Sequence, residues 1–418
     1  MSNANGITVT HCREPEPLAY SRFRVSTSQR STSLISHPKR RDRLTGRPTD
    51  RQTDRQTDGQ SMKEKISSTC NDQTHKTVQG RAMIELGPVE DGSSHIEELM
   101  ELTAQCLSRL EIKEHFNVIK EIGHGKYGRV LLVTHRCRGT PMALKVLPKA
   151  STQLKGFLRE YCISLRLSSH PCIVGLFGIA FQSNEHYGFA QELVVGRDLF
   201  AIIKPRVGIS ESVVKRCAVQ IASALEFIHR LGLVHRDIKP ENILLLDTQC
   251  RHVKLADFGL TQKRGTLICY ISSTLPYMAP ELCAMVAEDG QEKPQAPPLS
   301  IQPSLDTWAF GVLLFCILTG FFPWEHCTST DSFYEEFAEW RQDTETTEIP
   351  TQWKRFTPAC LEMFGKLLAL EPNDRSTADV VKGYVGKEWV KPKRPNESEG
   401  VSAMATLSSP CRSSPVLQ

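Results

Sequence analysis

No two of the 14 cysteines in this chain form a CxxC pair, and their intervals follow no framework spacing. That absence argues against a zinc ribbon or a small disulfide-stapled fold. It points instead to reduced thiols, mostly small core residues, in the cytoplasm with nuclear entry open. The basic start and short apolar run of a secretory leader are also missing from the first residues, which fits the same compartment. Net charge is only +4. The basic excess lies in the first 80 residues, so the remainder is slightly acidic and lacks the basic face of a nucleic-acid binder. One uncharged run, Trp308 to Trp324, covers 17 residues, short for a bilayer, with Asp306 before it and Glu325 after it in place of basic flanks. It is expected to be a helix buried on all sides within a large lobe, and no membrane partner follows from it.

The 418 residues leave room for one large two-lobed domain or two ordinary ones if the flanks contribute little to the core. Residues 1–90 are rich in Ser, Thr, Arg, Asp, Gln and Gly, with no apolar period, and are expected to be disordered. A tetrapeptide repeat runs from Thr49 to Gln60, in the manner of an expanded short DNA repeat or an over-extended gene model. The basic run from Pro38 to Arg43 could be a nuclear address or a polyanion contact, but solvated chain is the favoured reading. From residue 91 to 115 the pattern changes. Ile96, Leu99, Met100, Cys106, Leu107 and Leu110 fall at helical spacing, with Glu97, Glu98 and Glu101 near the front. This spacing predicts an amphipathic helical lead-in packed on, or leading into, the next domain.

That domain opens with Phe116 to Ile122 as a strand, Gly123-His124-Gly125-Lys126-Tyr127-Gly128 as a turn, and Arg129-Val130 to Val133 as the returning strand. Glycines let the backbone approach phosphates closely, but this spacing alone would fit a dinucleotide site equally well. A following helix would mean a Rossmann unit, and here a strand follows. Pro141 to Leu147 reads as a further strand with one lysine, Lys145, among apolar neighbours. Between Val146 and Asn184 the only carboxylate is Glu160, in the helical stretch Phe157 to Ile163. Cys172 to Phe177 and Tyr187 to Leu193 read as two more strands. Ser210 is a plausible cap for the helix running to His229.

The richest stretch is His235 to Gly259. It carries His235-Arg236-Asp237, Lys239 and Asn242, then the apolar run Ile243 to Leu246, then Asp257-Phe258-Gly259. Phosphoryl transfer asks little covalent chemistry of a protein. It requires metal ions to be placed, an attacking hydroxyl to be oriented and developing charge to be offset, and these residue types can do all three. With H-R-D-x-K-x-x-N and D-F-G at this separation, the chain resembles the eukaryotic protein kinases over residues 116–390. Within them, the wording of FLREYCISLRLSSHPCIVGLFG and WAFGVLLFCILTGFFPWE is similar to the SH3-binding domain kinase family.

The resemblance implies an α+β, two-lobed kinase fold, with a small β-rich lobe over residues 116–193, a large mostly helical lobe over 194–390, and a disordered tail from 391 to 418. It implies an enzyme that transfers the γ-phosphate of ATP to Ser and Thr hydroxyls of protein substrates with Mg²⁺. Asp237 would orient the hydroxyl and accept its proton, Lys239 would reach the γ-phosphate, and Asn242 and Asp257 would hold the metal. ATP would be bound by Ile122, Gly123, His124, Gly125, Lys126, Tyr127, Gly128, Arg129, Val130, Ala143, Lys145, Glu160, Glu192, Leu193 and Leu244. Lys145 would contact the phosphates and pair with Glu160. Gln191 takes the gatekeeper position, and Glu192 to Leu193 form the hinge. Asp198 would face ribose or a basic substrate side chain, or would simply begin the next helix.

Arg236 fits kinases in which a cationic pocket receives an activation-loop phosphate. Thr274 would brace the catalytic aspartate, and Tyr270, Ser272 and Ser273 are candidate phosphosites. Glu281 and Arg375 match a buried ion pair. An insertion after Glu281 holds Pro294 and Pro297 as a PxxP. It could enter an SH3 groove, although an ordinary loop is favoured because no basic residue sits at the usual flanking offset. The acidic stretch from Asp331 to Glu348 reads as an amphipathic helix and loop, open to basic partners or merely solvated. In the tail, Ser409 and Ser414 precede prolines. The enzyme is expected to act as a monomer. A pseudokinase scaffold or SH3-binding adaptor is the competing class, disfavoured because Lys145, Glu160, Asp237, Asn242 and Asp257 are all present.

Overall fold

The glycine hairpin starts a six-stranded sheet. A computed structural model describes residues 92–125, 128–268, 276–285, 298–343 and 348–392. The expectations for residues 1–90, for Lys126 and Tyr127, for Tyr270, Ser272, Ser273 and Thr274, for Pro294 and Pro297, and for Ser409 and Ser414 fall outside them.

The lead-in is helix α1 (Gly92–Gln105), strand β1 (Ser108–Arg109) and a single turn, α2 (Ile112–His115). The helix stops at Gln105, so Leu107 and Leu110 do not continue its face as their spacing predicts. The reason is a competing set of backbone partners. Ser108 and Arg109 pair in parallel with Phe181 and Gln182, and the Leu110 N–H donates to the Gln182 carbonyl at 3.0 Å.

Strands β2 (Phe116–Gly125), β3 (Gly128–His135), β4 (Pro141–Pro148), β5 (Leu176–Gln182) and β6 (His186–Gln191) complete the sheet in the order β1-β5-β6-β4-β3-β2, antiparallel apart from β1. Along β4 the side chains alternate. Met142, Leu144 and Val146 enter one core with Phe116, Val133 and Phe181. That leaves Lys145 on the opposite face, toward helix α3 (Leu154–Leu167).

The run Cys172 to Phe177 is not one strand of this sheet. Only Leu176 and Phe177 belong to β5. Ahead of them, the Val174 N–H donates to the Leu255 carbonyl at 3.0 Å, and the Leu255 N–H donates to the Cys172 carbonyl at 2.8 Å. The apolar run therefore crosses to the other lobe, where, beyond the short strand β7 (Leu233–Val234), Leu255 ends the pair β8 (Ile243–Leu245) and β9 (Val253–Leu255).

The large lobe is built around α4 (Glu211–Arg230) and, after the single turn α5 (Pro280–Cys283), α6 (Ser304–Thr319). Apolar residues recur along α4 every three or four positions, and Val213, Val214, Cys217, Ile221, Leu225 and Ile228 are buried. Ser210 stands at the cap position, but its side chain makes no capping bond. The uncharged run behaves as expected: every residue from Leu305 to Thr319 is buried, and Phe315 packs on Trp353 and Phe356. Among the described residues no helix is long and apolar enough to cross a membrane. Gly320 ends α6 with a φ of 79°, and a Cβ there would overlap the Lys204 carbonyl, so only glycine allows the close turn. In the acidic stretch, Asp331 caps α7 (Ser332–Gln342) by accepting from the N–H groups of Phe333 and Tyr334. Phe337 and Trp340 are buried, so this helix is packed on the lobe by one face.

The ion pair expected between Glu281 and Arg375 forms as a bidentate clamp. Arg375 Nη1 and Nη2 donate to the two Glu281 carboxylate oxygens at 2.6 and 2.7 Å. The guanidinium also donates to the Ala369, Leu370 and Ser304 carbonyls and lies over the Trp308 ring. With Glu281→Ala the buried cation keeps those carbonyls but loses its anion. The expected cost is about 3 kcal/mol, at the lower end for breaking a buried pair. Urea unfolding should show a lowered midpoint with an unchanged slope, and an unmoved midpoint would deny the pair a structural role.

Candidate active site

Sheet pairing sets the upper half of the site. Gly123 pairs with Val130, His124 with Arg129 and Gly125 with Gly128, so the glycine turn lies across the ends of β2 and β3. A Cβ on Gly128 would overlap the Val146 carbonyl oxygen on β4, so the hairpin can lie this close only with glycine there. Val130 in turn faces Lys145, and Ala143 faces Gln191. Ala143 is buried, whereas Ile122 is exposed at the strand edge.

Lys145 makes the central contacts. Its Nζ lies 2.5 Å from Glu160 Oε1 and 2.9 Å from Asp257 Oδ1. Both Lys145 and Glu160 are largely shielded from solvent. Burial by itself would pull the lysine pKa down, but two carboxylates in contact outweigh it and hold the ammonium charged well above its usual range. Asp257 moves the other way. Burial opposes its charge, yet Lys145 and the Gly259 N–H keep its carboxylate ionised below the usual range. Its backbone has a φ of 62°, a left-handed conformation that aims the side chain at the lysine. Phe258 is buried edge-on against His235, with ring centroids 5.1 Å apart.

The catalytic loop is held from beneath. The Asp306 carboxylate accepts from the backbone N–H groups of His235 and Arg236 at 2.8 and 2.7 Å, and from His229 Nε2 at 2.8 Å. Burial opposes the charge on Asp306, but these donors hold its carboxyl below the usual range. They also fix Arg236 at a φ of 70°. His235 accepts from the Asp237 N–H on Nδ1 and donates from Nε2 to the Ala256 carbonyl, which assigns the neutral Nε2–H tautomer. Burial lowers its pKa accordingly.

Above this support, Asp237 Oδ2 accepts from Lys239 Nζ and from Asn242 Nδ2, each at 2.8 Å. Asn242 Nδ2 also donates to the Asp237 carbonyl. Both partners can only accept, so the Asn242 amide orientation is settled and its Oδ1 is left as an oxygen donor. On Asp257 the bonds from Lys145 and Gly259 fall on Oδ1 and none of them on Oδ2. Two such oxygens, with the remaining positions left to phosphate and water, suit Mg²⁺. Among the described residues no cluster of three or more His, Cys, Asp or Glu could hold a metal by itself.

At the hinge, β6 ends at Gln191, and the Glu192 N–H donates to the Gly175 carbonyl at 2.8 Å. The Glu192 side chain is also engaged: Oε1 accepts from the Gly175 N–H at 2.6 Å and lies 2.5 Å from Lys254 Nζ. Leu193 is half-buried, and Leu244 on β8 sits beside the post-hinge segment through the Asp198–Leu244 bridge. Asp198 Oδ1 accepts from the Ala201 N–H at 2.9 Å, the bond expected of a residue that begins a helical turn.

Sequence reading singled out the six charged and polar residues Lys145, Glu160, Asp237, Lys239, Asn242 and Asp257 but missed their supports. Asp306 was noted only for its sign, although a carboxylate heading an otherwise uncharged buried run is itself a signal. Lys254 carries no local signal, because its partner is 62 positions away in the chain.

Residues 116–389 match the model of the protein kinase domain family. The serine/threonine-protein kinase SBK1 of Danio rerio is 52% identical over 295 residues, covering 71% of this chain and 74% of that protein. SBK2 of Homo sapiens is 43% identical over 334 residues, covering 80% and 93%. The serine/threonine-protein kinase meng-po of Drosophila melanogaster is 34% identical over 306 residues, covering 73% and 64%. With its lysine, paired glutamate, catalytic-loop aspartate and Asp-Phe-Gly all in register, the chain belongs to the protein kinase family and, within it, to the SH3-binding domain serine/threonine kinases.

Proposed function

We propose that this ATP-dependent serine/threonine protein kinase works with Mg²⁺ held by Asn242 and Asp257, and that Asp237 and Lys239 serve the transferred phosphoryl group. The observation that carries the reading is the Lys145 ammonium seated between Glu160 and Asp257, since the kinase fold needs this pairing before phosphates can be aligned. Lys145 binds the α- and β-phosphates, and Glu160 fixes where the ammonium sits. The backbone N–H groups of Gly123, Gly125 and Gly128 cover the phosphates, while Ala143, Leu193 and Leu244 enclose the base. When bound, the metal neutralises charge on the β- and γ-oxygens.

Asp237 orients the Ser or Thr hydroxyl and accepts its proton as the new P–O bond forms. Lys239, 2.8 Å from Asp237, offsets charge building on the γ-phosphoryl oxygens. The γ-phosphoryl group thus passes from ADP as leaving group to the substrate oxygen. Glu241 lies within electrostatic reach of Asp198 and Asp237, which favours substrates with Arg or Lys before the acceptor. On its cysteine usage we place the enzyme in the cytoplasm, and we take it to act as a monomer.

The test is transfer of labelled phosphate to Ser/Thr peptides carrying Arg or Lys on the N-terminal side, set against otherwise identical peptides with Ala there. Transfer should stop with EDTA, return with Mg²⁺, and favour the basic peptides by about tenfold, as one well-placed ion pair of roughly 1.4 kcal/mol would give. Full activity in EDTA would remove the metal assignment, and equal rates on both peptides would remove the basic preference.

A further inference from the structure

Helix α3 is short, yet it has to bury side chains in opposite directions. Glu160 points to Lys145. Leu158 and Cys162 lie two residues to either side of it, about 200° around an α-helix, and so occupy the far face. Both are buried. Part of their cover is helix α1, which packs along α3. Met100 is buried in one cluster with Phe157, Leu158, Tyr161 and Cys162, and Ile96 and Leu99 pack on its margin. Thr103 Oγ1 lies 3.6 Å from Cys162 Sγ.

The seam is not a loose overlay. Immediately after α1 the chain is tied to the sheet by the parallel β1–β5 pairing, by the Leu110 N–H to the Gln182 carbonyl, and by Glu111 Oε1 accepting from the Asn184 N–H at 3.0 Å. A segment anchored at one end to β5 and packed along α3 fixes where α3 sits relative to the sheet that carries Lys145. Without α1, Leu158 and Cys162 would lose part of their cover to water, and rotating or shifting α3 to rebury them would carry Glu160 away from Lys145.

We propose that α1 is a positioning element for phosphoryl transfer, acting through Met100 and its neighbours to hold Glu160 against Lys145. The proposal rests on the role assigned above to the Lys145–Glu160 pair. Met100 packs on the face of α3 turned away from Glu160 and Lys145, so its effect passes through α3.

The test is a double-mutant cycle in the full-length chain, with kcat and KM for ATP measured separately. Met100→Asp should lower kcat by about tenfold, whereas Met100→Leu, which keeps the apolar contact, should stay within twofold of wild type. In a Glu160→Gln background, already slowed, Met100→Asp should change the residual rate by less than about twofold, because the contact it protects is gone. The same tenfold fall in both backgrounds would overturn the proposal alone, since α1 would then act by a route that does not involve Glu160. A Glu160→Gln enzyme as fast as wild type would overturn the role of the pair and the proposal with it. Leu99→Ala, a milder change on the margin of the seam, supplies the same two-background ratio if Met100→Asp does not yield folded protein.

Discussion

Asp257→Asn is expected to lower kcat by about 10³-fold while leaving the fold intact, the loss expected when a group that stabilises charge in the transition state is removed. The fold should survive for a backbone reason. Asp257 has a φ of 62°, and asparagine is among the few residues that accept this left-handed conformation readily. An amide oxygen can still accept from Lys145 and from the Gly259 N–H, where Oδ1 does so now. The other position changes from an anionic oxygen to an NH2 group, which cannot ligate a cation. Lys145 also loses one of the two carboxylates that hold it charged. Single-turnover transfer of labelled phosphate, with circular dichroism on the same sample, checks both halves. A rate within tenfold of wild type would mean that Asp257 does not hold the metal.

Asp237→Asn should lower kcat by about 10²- to 10⁴-fold, the range for removing a general base, with KM for ATP little changed. The direction follows from its hydrogen bonds. Asp237 Oδ2 accepts from both Lys239 and Asn242, so an asparagine amide would turn its oxygen toward those two donors. Its NH2 group would then face the substrate hydroxyl, where it could donate but could not take a proton. The loop should keep its shape, because His235 and Arg236 are held by Asp306 and not by Asp237. A variant that loses ATP affinity and keeps kcat would show that Asp237 serves binding rather than transfer.

Much of this site could be read without coordinates, and the reason is chemical. His235 to Gly259 carries its donors and acceptors within 25 residues. Their types suit phosphoryl transfer, and the resemblance to the protein kinases that their spacing carries is what gave Asp237, Lys239, Asn242 and Asp257 their expected roles. Lys145 stood out as one lysine among apolar neighbours and took its role from the kinase resemblance, and Glu160 followed because no other carboxylate stands in the local helical stretch. The unbroken apolar character of residues 308–324 was enough to expect burial on all sides, as α6 bears out.

What pairs across long separations was not legible. The segment Cys172 to Val174, with the β-branched Ile173 and Val174, has strand propensity, but its partner is Leu255 in the other lobe, and no local pattern distinguishes one extended partner from another. Leu107 and Leu110 keep helical spacing, but backbone pairing with β5 takes that segment out of the helix. The Ser210 side chain sits at a cap position without capping, and Glu192 is stapled to Lys254 as well as marking the hinge. Sequence by itself thus carried the resemblance to the protein kinases, and with it the fold class and the reaction, because the motifs that bear the resemblance are compact and lie within short intervals. Only the tertiary structure decided what holds them in place, with Asp306 beneath the catalytic loop and α1 behind α3, because such supports are contacts between segments whose order along the chain does not record their distance in space.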